Sequence, residues 1–185
     1  MSRIPYPDPK QLSKSVREFM GDRPANVTRM LAAASEPVFH AVLRLGGAFI
    51  NGSSLPERLR EIAILRVGYL SNSAYEVFQH EALARHVGLS DKQIEAVREG
   101  GTAAEVLGEV GAMVLAYVDD LVFNVRASDE TFAAVRQHLT DTQMTDLTLV
   151  TGTYMMIGRF LETMGVDIDP ESIDWGKITA SSTGE

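Results

Sequence analysis

Apolar residues recur at alternating spacings of three and four along most of the chain, the period of α-helices buried on one face. The clearest stripe is Leu147, Val150, Tyr154, Ile157, Leu161 and Met164, and a second runs through Leu107, Val110, Val114, Tyr117 and Leu121. The pattern predicts helices at about 11–20, 25–34, 36–50, 55–70, 73–87, 91–99, 103–123, 129–138 and 141–164. Capping chemistry marks several starts. Ser54-Leu55-Pro56-Glu57, Ser90-Asp91-Lys92-Gln93, Thr102-Ala103-Ala104-Glu105 and Thr140-Asp141-Thr142-Gln143 each place a hydroxyl three residues before a Glu or Gln. In that arrangement the two side chains satisfy each other's free backbone N–H groups. Four such signals point to an all-α fold, and Gly46-Gly47 within an apolar run predicts a close helix contact.

Length changes this picture little: 185 residues suit one domain over 1–185 with its own core. Residues 1–10, with Pro5, Pro7 and Pro9, read as an N-terminal extension, and 176–185, rich in Ser, Thr and Gly, as a flexible tail. Charge excludes more. The formal net charge of −8, with no run of Lys or Arg, argues against nucleic acid and anionic membranes as partners. No stretch approaches the roughly 18 apolar residues of a membrane span, and the N-terminus lacks the apolar segment of a secretory signal, so a cytoplasmic location is expected. The chain has no cysteine, which removes disulfides, thiolate metal sites and thiol catalysis.

The stretch from 55 to 97 carries the candidate chemistry. Tyr75, Glu76 and His80 form the pattern YExxxH, with Glu76 and His80 four apart and so on one helix face. A carboxylate so placed orients an imidazole and raises its pKa. One helix upstream, Glu61 lies near the apolar face of Leu65 and Gly68, and a buried carboxylate there needs a partner. A histidine on the next helix would serve. Taken alone, a Glu and a His four apart are more often a solvated helix pair.

The order Glu61, Ile62-Ala63-Ile64-Leu65-Arg66-Val67, Tyr75-Glu76, His80, Ala84 and Gly88-Leu89-Ser90 resembles the core motif of the carboxymuconolactone decarboxylase and AhpD-like superfamily. The likeness spans about 45 residues, and Gly152-Thr153-Tyr154-Met155 fits more loosely. It implies an AhpD-like multi-helix domain that assembles as a homo-oligomer, a trimer or hexamer. In the peroxidase branch the motif reads glutamate, CxxC, then histidine. Ser73 and Glu76 stand where those cysteines would be, and neither can form or resolve a sulfenic acid. Tyr75, Glu76 and His80 instead match the decarboxylase branch.

That resemblance implies a cofactor-independent reaction on a small carboxylic acid or lactone. His80 would deliver the proton, Glu61 or Glu76 would orient it, Tyr75 and Ser73 would contact substrate, and Arg66 or Arg85 would grip a carboxylate. For Arg66 a surface salt bridge with Glu61 or Glu76 competes. The alternative function is a non-catalytic helical oligomer or binding protein, with Glu61, Glu76 and His80 as a structural polar cluster. No metal site is expected, because His40, His86 and His138 lie outside any HxxxH or HExxH spacing. Met155, Met156, Met164 and Phe160 read as core filler or subunit contacts, and Trp175 as a lid or interface anchor.

Overall fold

The computed structural model describes residues 1–100 and 104–180, with 178–180 described in backbone alone. Every regular element among the described residues is helical. A 3-10 turn at Pro9–Gln11 precedes α1 (Lys14–Met20), α2 (Asn26–Leu31), α3 (Glu36–Gly52), α4 (Glu57–Leu70), α5 (Ala74–His86) and α6 (Asp91–Glu99). The chain continues with α7 (Ala104–Leu107), α8 (Glu109–Asn124), α9 (Asp129–Arg136), α10 (Asp141–Met164) and α11 (Trp175–Ala180).

Local chemistry explains most boundaries. The full capping boxes form at Ser90 with Gln93 and at Thr140 with Gln143, opening α6 and α10. The box expected at Ser54 does not form: Pro56 occupies the N-cap of α4, and Asp146 of α10 accepts from the hydroxyls of Ser53 and Ser54 instead. The box expected at Thr102 lies outside the described residues. The single helix expected over 103–123 is interrupted at Gly108, whose φ of 78° leaves the helical region and separates α7 from α8. Of the expected tail, residues up to 180 belong to α11, and 181–185 lie outside the described residues.

α4 is the central element, buried at every position from Arg60 to Gly68 and packed against α5, α6, α8 and α10. Its surroundings form the main core, where Ile62, Leu65, Val114, Val118, Leu147 and Val150 exclude water. Each such side chain contributes roughly 1.5–3 kcal/mol on burial. A second cluster of Val16, Leu31 and Phe39, with Phe160 against it, holds α1, α2 and α3 to α10. The stripe on α10 is realised, with Leu147, Val150, Tyr154 and Leu161 buried and Ile157 and Met164 half-buried.

Candidate active site

α4 and α5 form a helical hairpin closed by Ser71, Asn72 and Ser73. Asn72 takes a left-handed φ of 50°, which asparagine tolerates better than most residues. Gly68 lets the two helices approach closely, since a Cβ there would stand 3.3 Å from a Val77 methyl and 3.5 Å from Cβ of Glu76. This hairpin brings Glu61 of α4 opposite His80 of α5.

Glu61 is fully buried and bonded on both oxygens. Arg60 Nε donates to Oε1 at 2.9 Å, and His80 Nδ1 lies 2.8 Å from Oε2. Arg60 also donates to the carbonyls of Phe49 and Ile50 at the end of α3. Because a carboxylate only accepts, His80 carries its proton on Nδ1, which leaves Nε2 for chemistry. Nε2 stands 3.6 Å from Glu76 Oε2, too far for a good hydrogen bond but close enough to feel its charge.

Burial pushes Glu76 up to about 7, opposed by His80 and reinforced by Glu61. Burial pulls His80 down, but Glu61 and Glu76 together outweigh it and its pKa is raised. Both shifts favour a proton held on the pair. Among the described residues, Arg60 Nη2, Glu76 Oε1 and Ser73 Oγ are buried side-chain atoms with no hydrogen-bond partner. Tyr154 of α10 stands edge-on to the imidazole at 4.8 Å, its hydroxyl held protonated by burial and the two carboxylates.

Glu76 and His80 meet a cavity of about 220 Å³ between α2, α3, α5 and α10. Leu31, Val42, Leu43, Ile50 and Ile157 supply much of its wall. Gly46 and Gly47 also line it, and a Cβ at either would meet nothing within 4 Å. The close helix contact expected of these glycines is therefore corrected: they border open space, not another helix.

The segment after α10 closes the other side. Asp169 accepts from the Asn26 backbone N–H, the Tyr75 hydroxyl and Gln79 Nε2. Gln79 accepts from Ile173 N–H at 2.8 Å, and its carbonyl accepts from Trp175 Nε1 at 3.1 Å. These bonds place the Trp175 ring 5.6 Å from the imidazole and beside the cavity, so it packs over the polar cluster.

His80, Glu61 and Glu76 thus come together, Glu61 behind the imidazole and the other two on the cavity wall. Tyr75 is buried with burial and Asp169 raising its pKa, and it ties α5 to α2 through the Val27 N–H. Ser73 is buried at the start of α5, beside Gly158 of α10. Neither Tyr75 nor Ser73 belongs to the cavity lining.

The two arginines expected to grip substrate are elsewhere. Arg66 Nε and Nη2 donate to Asp119 at 2.6 and 2.9 Å, and Nη1 to the carbonyls of Val97 and Arg98. Its ion-pair partner is therefore neither Glu61 nor Glu76. Arg85 is exposed and pairs with Asp91 and Glu81. Both follow from helix geometry, since each lies five residues after a cluster member, which turns it roughly 140° around its helix.

Sequence reasoning missed Arg60, Gln79 and Asp169. The one available signal was Arg60 directly before Glu61 at the start of an apolar run. Among the described residues, no group of His, Cys, Asp and Glu is arranged to hold a metal ion.

Residues 36–117 match the model of the Carboxymuconolactone decarboxylase family. The fold is similar to that of an uncharacterized peroxidase-related protein with an alkylhydroperoxidase AhpD core from Ralstonia eutropha JMP134, at TM-score 0.79 and 18% identity, covering 96% of this chain and 94% of that one. A peroxidase-related protein from Silicibacter sp. TM1040 gives TM-score 0.76 at 16% identity over 91% of each chain. ATU0492 of Agrobacterium tumefaciens, a protein of unknown function, gives 0.67 at 24% identity over 75% of this chain and 94% of that one. No curated protein matches the sequence.

Proposed function

We propose, from the match of residues 36–117 to the carboxymuconolactone decarboxylase family model and from the AhpD-like helical fold, an acid–base enzyme acting on a small lactone or carboxylic acid. It moves a proton to or from carbon beside a carbonyl. The observation that carries this reading is His80, whose Nδ1 is fixed by a buried carboxylate while its ring borders a cavity beside Glu76.

The chemistry balances with these groups alone. Neutral Nε2 removes a proton from the α-carbon, and the C–H electron pair moves onto the carbonyl oxygen as an enolate. The imidazolium returns the proton to carbon. For an acid, the electron pair released with carbon dioxide moves into a conjugated carbonyl, and the imidazolium supplies the proton in the same way. Glu61, bonded to Arg60 on its other oxygen, orients the ring and faces the positive charge that develops on it. A thiol peroxidase reaction has no support, because the sequence contains no cysteine.

Hydrogen–deuterium exchange at the α-carbon of a panel of small lactones, ketones and acids, followed by proton NMR in D₂O, tests the reading. The wild type accelerates exchange of at least one member and His80→Gln does not. Exchange no faster than in buffer across the panel, or a wild-type rate in His80→Gln, defeats it.

The same family reading carries a homo-oligomer, trimer or hexamer. Phe123, Val125, Leu149 and Met156, exposed on α8, its C-cap and α10, support it. Light scattering that finds a stable 20.2 kDa monomer counts against it.

A further inference from the structure

We infer that the cavity beside His80 selects uncharged, largely apolar carbonyl compounds and discriminates against the corresponding carboxylates. This rests on reading the cavity as the substrate site, and it narrows the two substrate classes to one.

The wall decides it. Apart from Glu76, Gln79 and His80, the side-chain hydrogen-bonding groups on the lining belong to Thr28, Thr153, Tyr154 and Trp175. No described lining residue is Lys or Arg, and residues 101–103 and 178–185 contain neither type. Arg60 is the nearest buried cation, but it is not on the wall. It donates to Glu61 and to two α3 carbonyls.

The pairing of the cluster gives the same answer. Arg60 is paired with Glu61, and His80 stands between two carboxylic groups, Glu61 and Glu76, so neither basic side chain is left without an acidic partner to offer an anion. A carboxylate entering the cavity would shed its water and meet Glu76. A neutral carbonyl oxygen needs only one donor, which Nε2–H of His80 or the Glu76 carboxyl supplies.

Size restricts the ligand further. A cavity of about 220 Å³ falls below the roughly 300–1,000 Å³ of drug-sized sites, so the ligand is small. Gly46 and Gly47 add no side chain to that wall, and a Cβ at either would meet nothing within 4 Å. Loss of carbon dioxide requires a carboxylate, so the chemistry suited to this wall is a proton shift within an uncharged carbonyl compound.

The test uses ketone and carboxylate pairs of matched shape: 4-phenylbutan-2-one with 3-phenylpropanoate, and 2-octanone with heptanoate. Binding to the full chain is measured by titration calorimetry at about pH 8. Each ketone should bind about tenfold or more tighter than its carboxylate. Gly47→Leu should lose ketone binding by about the same factor while keeping its helical circular dichroism. If that variant fails to fold, Ile157→Trp replaces it. A carboxylate that binds as tightly as its ketone, absence of binding by both members of each pair, or unchanged ketone binding in the folded filled-cavity variant overturns the inference. The assay reads binding without turnover. Ketone binding without exchange sinks the acid–base reading alone, whereas carboxylate preference with exchange intact sinks the selectivity alone.

Discussion

The two ends of α4 each bury an arginine against a carboxylate, and they are completed differently. At Arg66 the guanidinium spans both oxygens of Asp119 and serves two carbonyls. Gly100, at φ 74°, makes room for it, since a Cβ there would fall 2.6 Å from Nη2. At Arg60 the pair extends through Glu61 to His80 and Glu76, leaves buried polar atoms unmatched, and borders a cavity. A closed set of bonds fastens helices together. An open set beside a cavity is where a ligand can complete the bonding, because unpaired buried polar groups are costly.

The largest expected effect separates the two ends by activity. His80→Gln should lower proton transfer by a factor of about 10² to 10⁴, the usual contribution of a positioned acid–base group. Its helical content and urea midpoint should stay near wild type, since Gln retains a donor for Glu61. A variant that unfolds, or one that turns over normally, makes the His80 end structural like the other.

Arg66→Ala should do the reverse. It strands a half-buried Asp119 and two carbonyls, which costs roughly 2–4 kcal/mol in urea unfolding. Exchange per folded molecule should remain unchanged. A specific loss of activity with full stability would place Arg66 in the reaction.

Glu76→Gln sharpens the comparison through pH. Because burial raises Glu76 to about 7, its contribution to stability is complete below the ordinary carboxylate range and is lost as pH rises through about 7. The raised pKa of His80 acts in the same direction, with stability lost as pH rises. Wild type should therefore lose stability between about pH 5 and 8, and the variant, which cannot ionise at this position, should lose less. The exchange rate should fall by about tenfold, less than in His80→Gln. Parallel stability curves for the two proteins would mean that Glu76 is not held protonated.

The smallest effect concerns the cavity. Gly46→Ala adds a methyl where nothing lies within 4 Å and removes backbone freedom from the unfolded chain. It should raise stability by roughly 0.5–1 kcal/mol, read as a higher urea midpoint. A lower midpoint would show that the space at this wall is already filled.

Signals confined to neighbouring residues were legible in the sequence. Thr140 and Gln143 announce α10 because a capping box is complete within four residues, and the Leu147 to Leu161 stripe names its buried face. The four-residue spacing of Glu76 and His80 puts them on one face, and Glu61 on the preceding helix was within reach of them. Ser54 misled because its hydroxyl has a stronger partner 92 positions away in Asp146, which no local pattern encodes.

The sequence by itself therefore determined most of the helices, though not the break at Gly108 or α11, together with the absence of thiol chemistry and the Glu–His core of the candidate site. Only the tertiary structure decided that Arg60 steadies Glu61, that Arg66 and Arg85 face away, and that Gly46 and Gly47 border a cavity. It also decided that Asp169 and Gln79 hold Trp175 over the imidazole. The reason is physical. Helix period and capping depend on residues three or four apart, whereas partners and empty space depend on which faces meet once the helices pack.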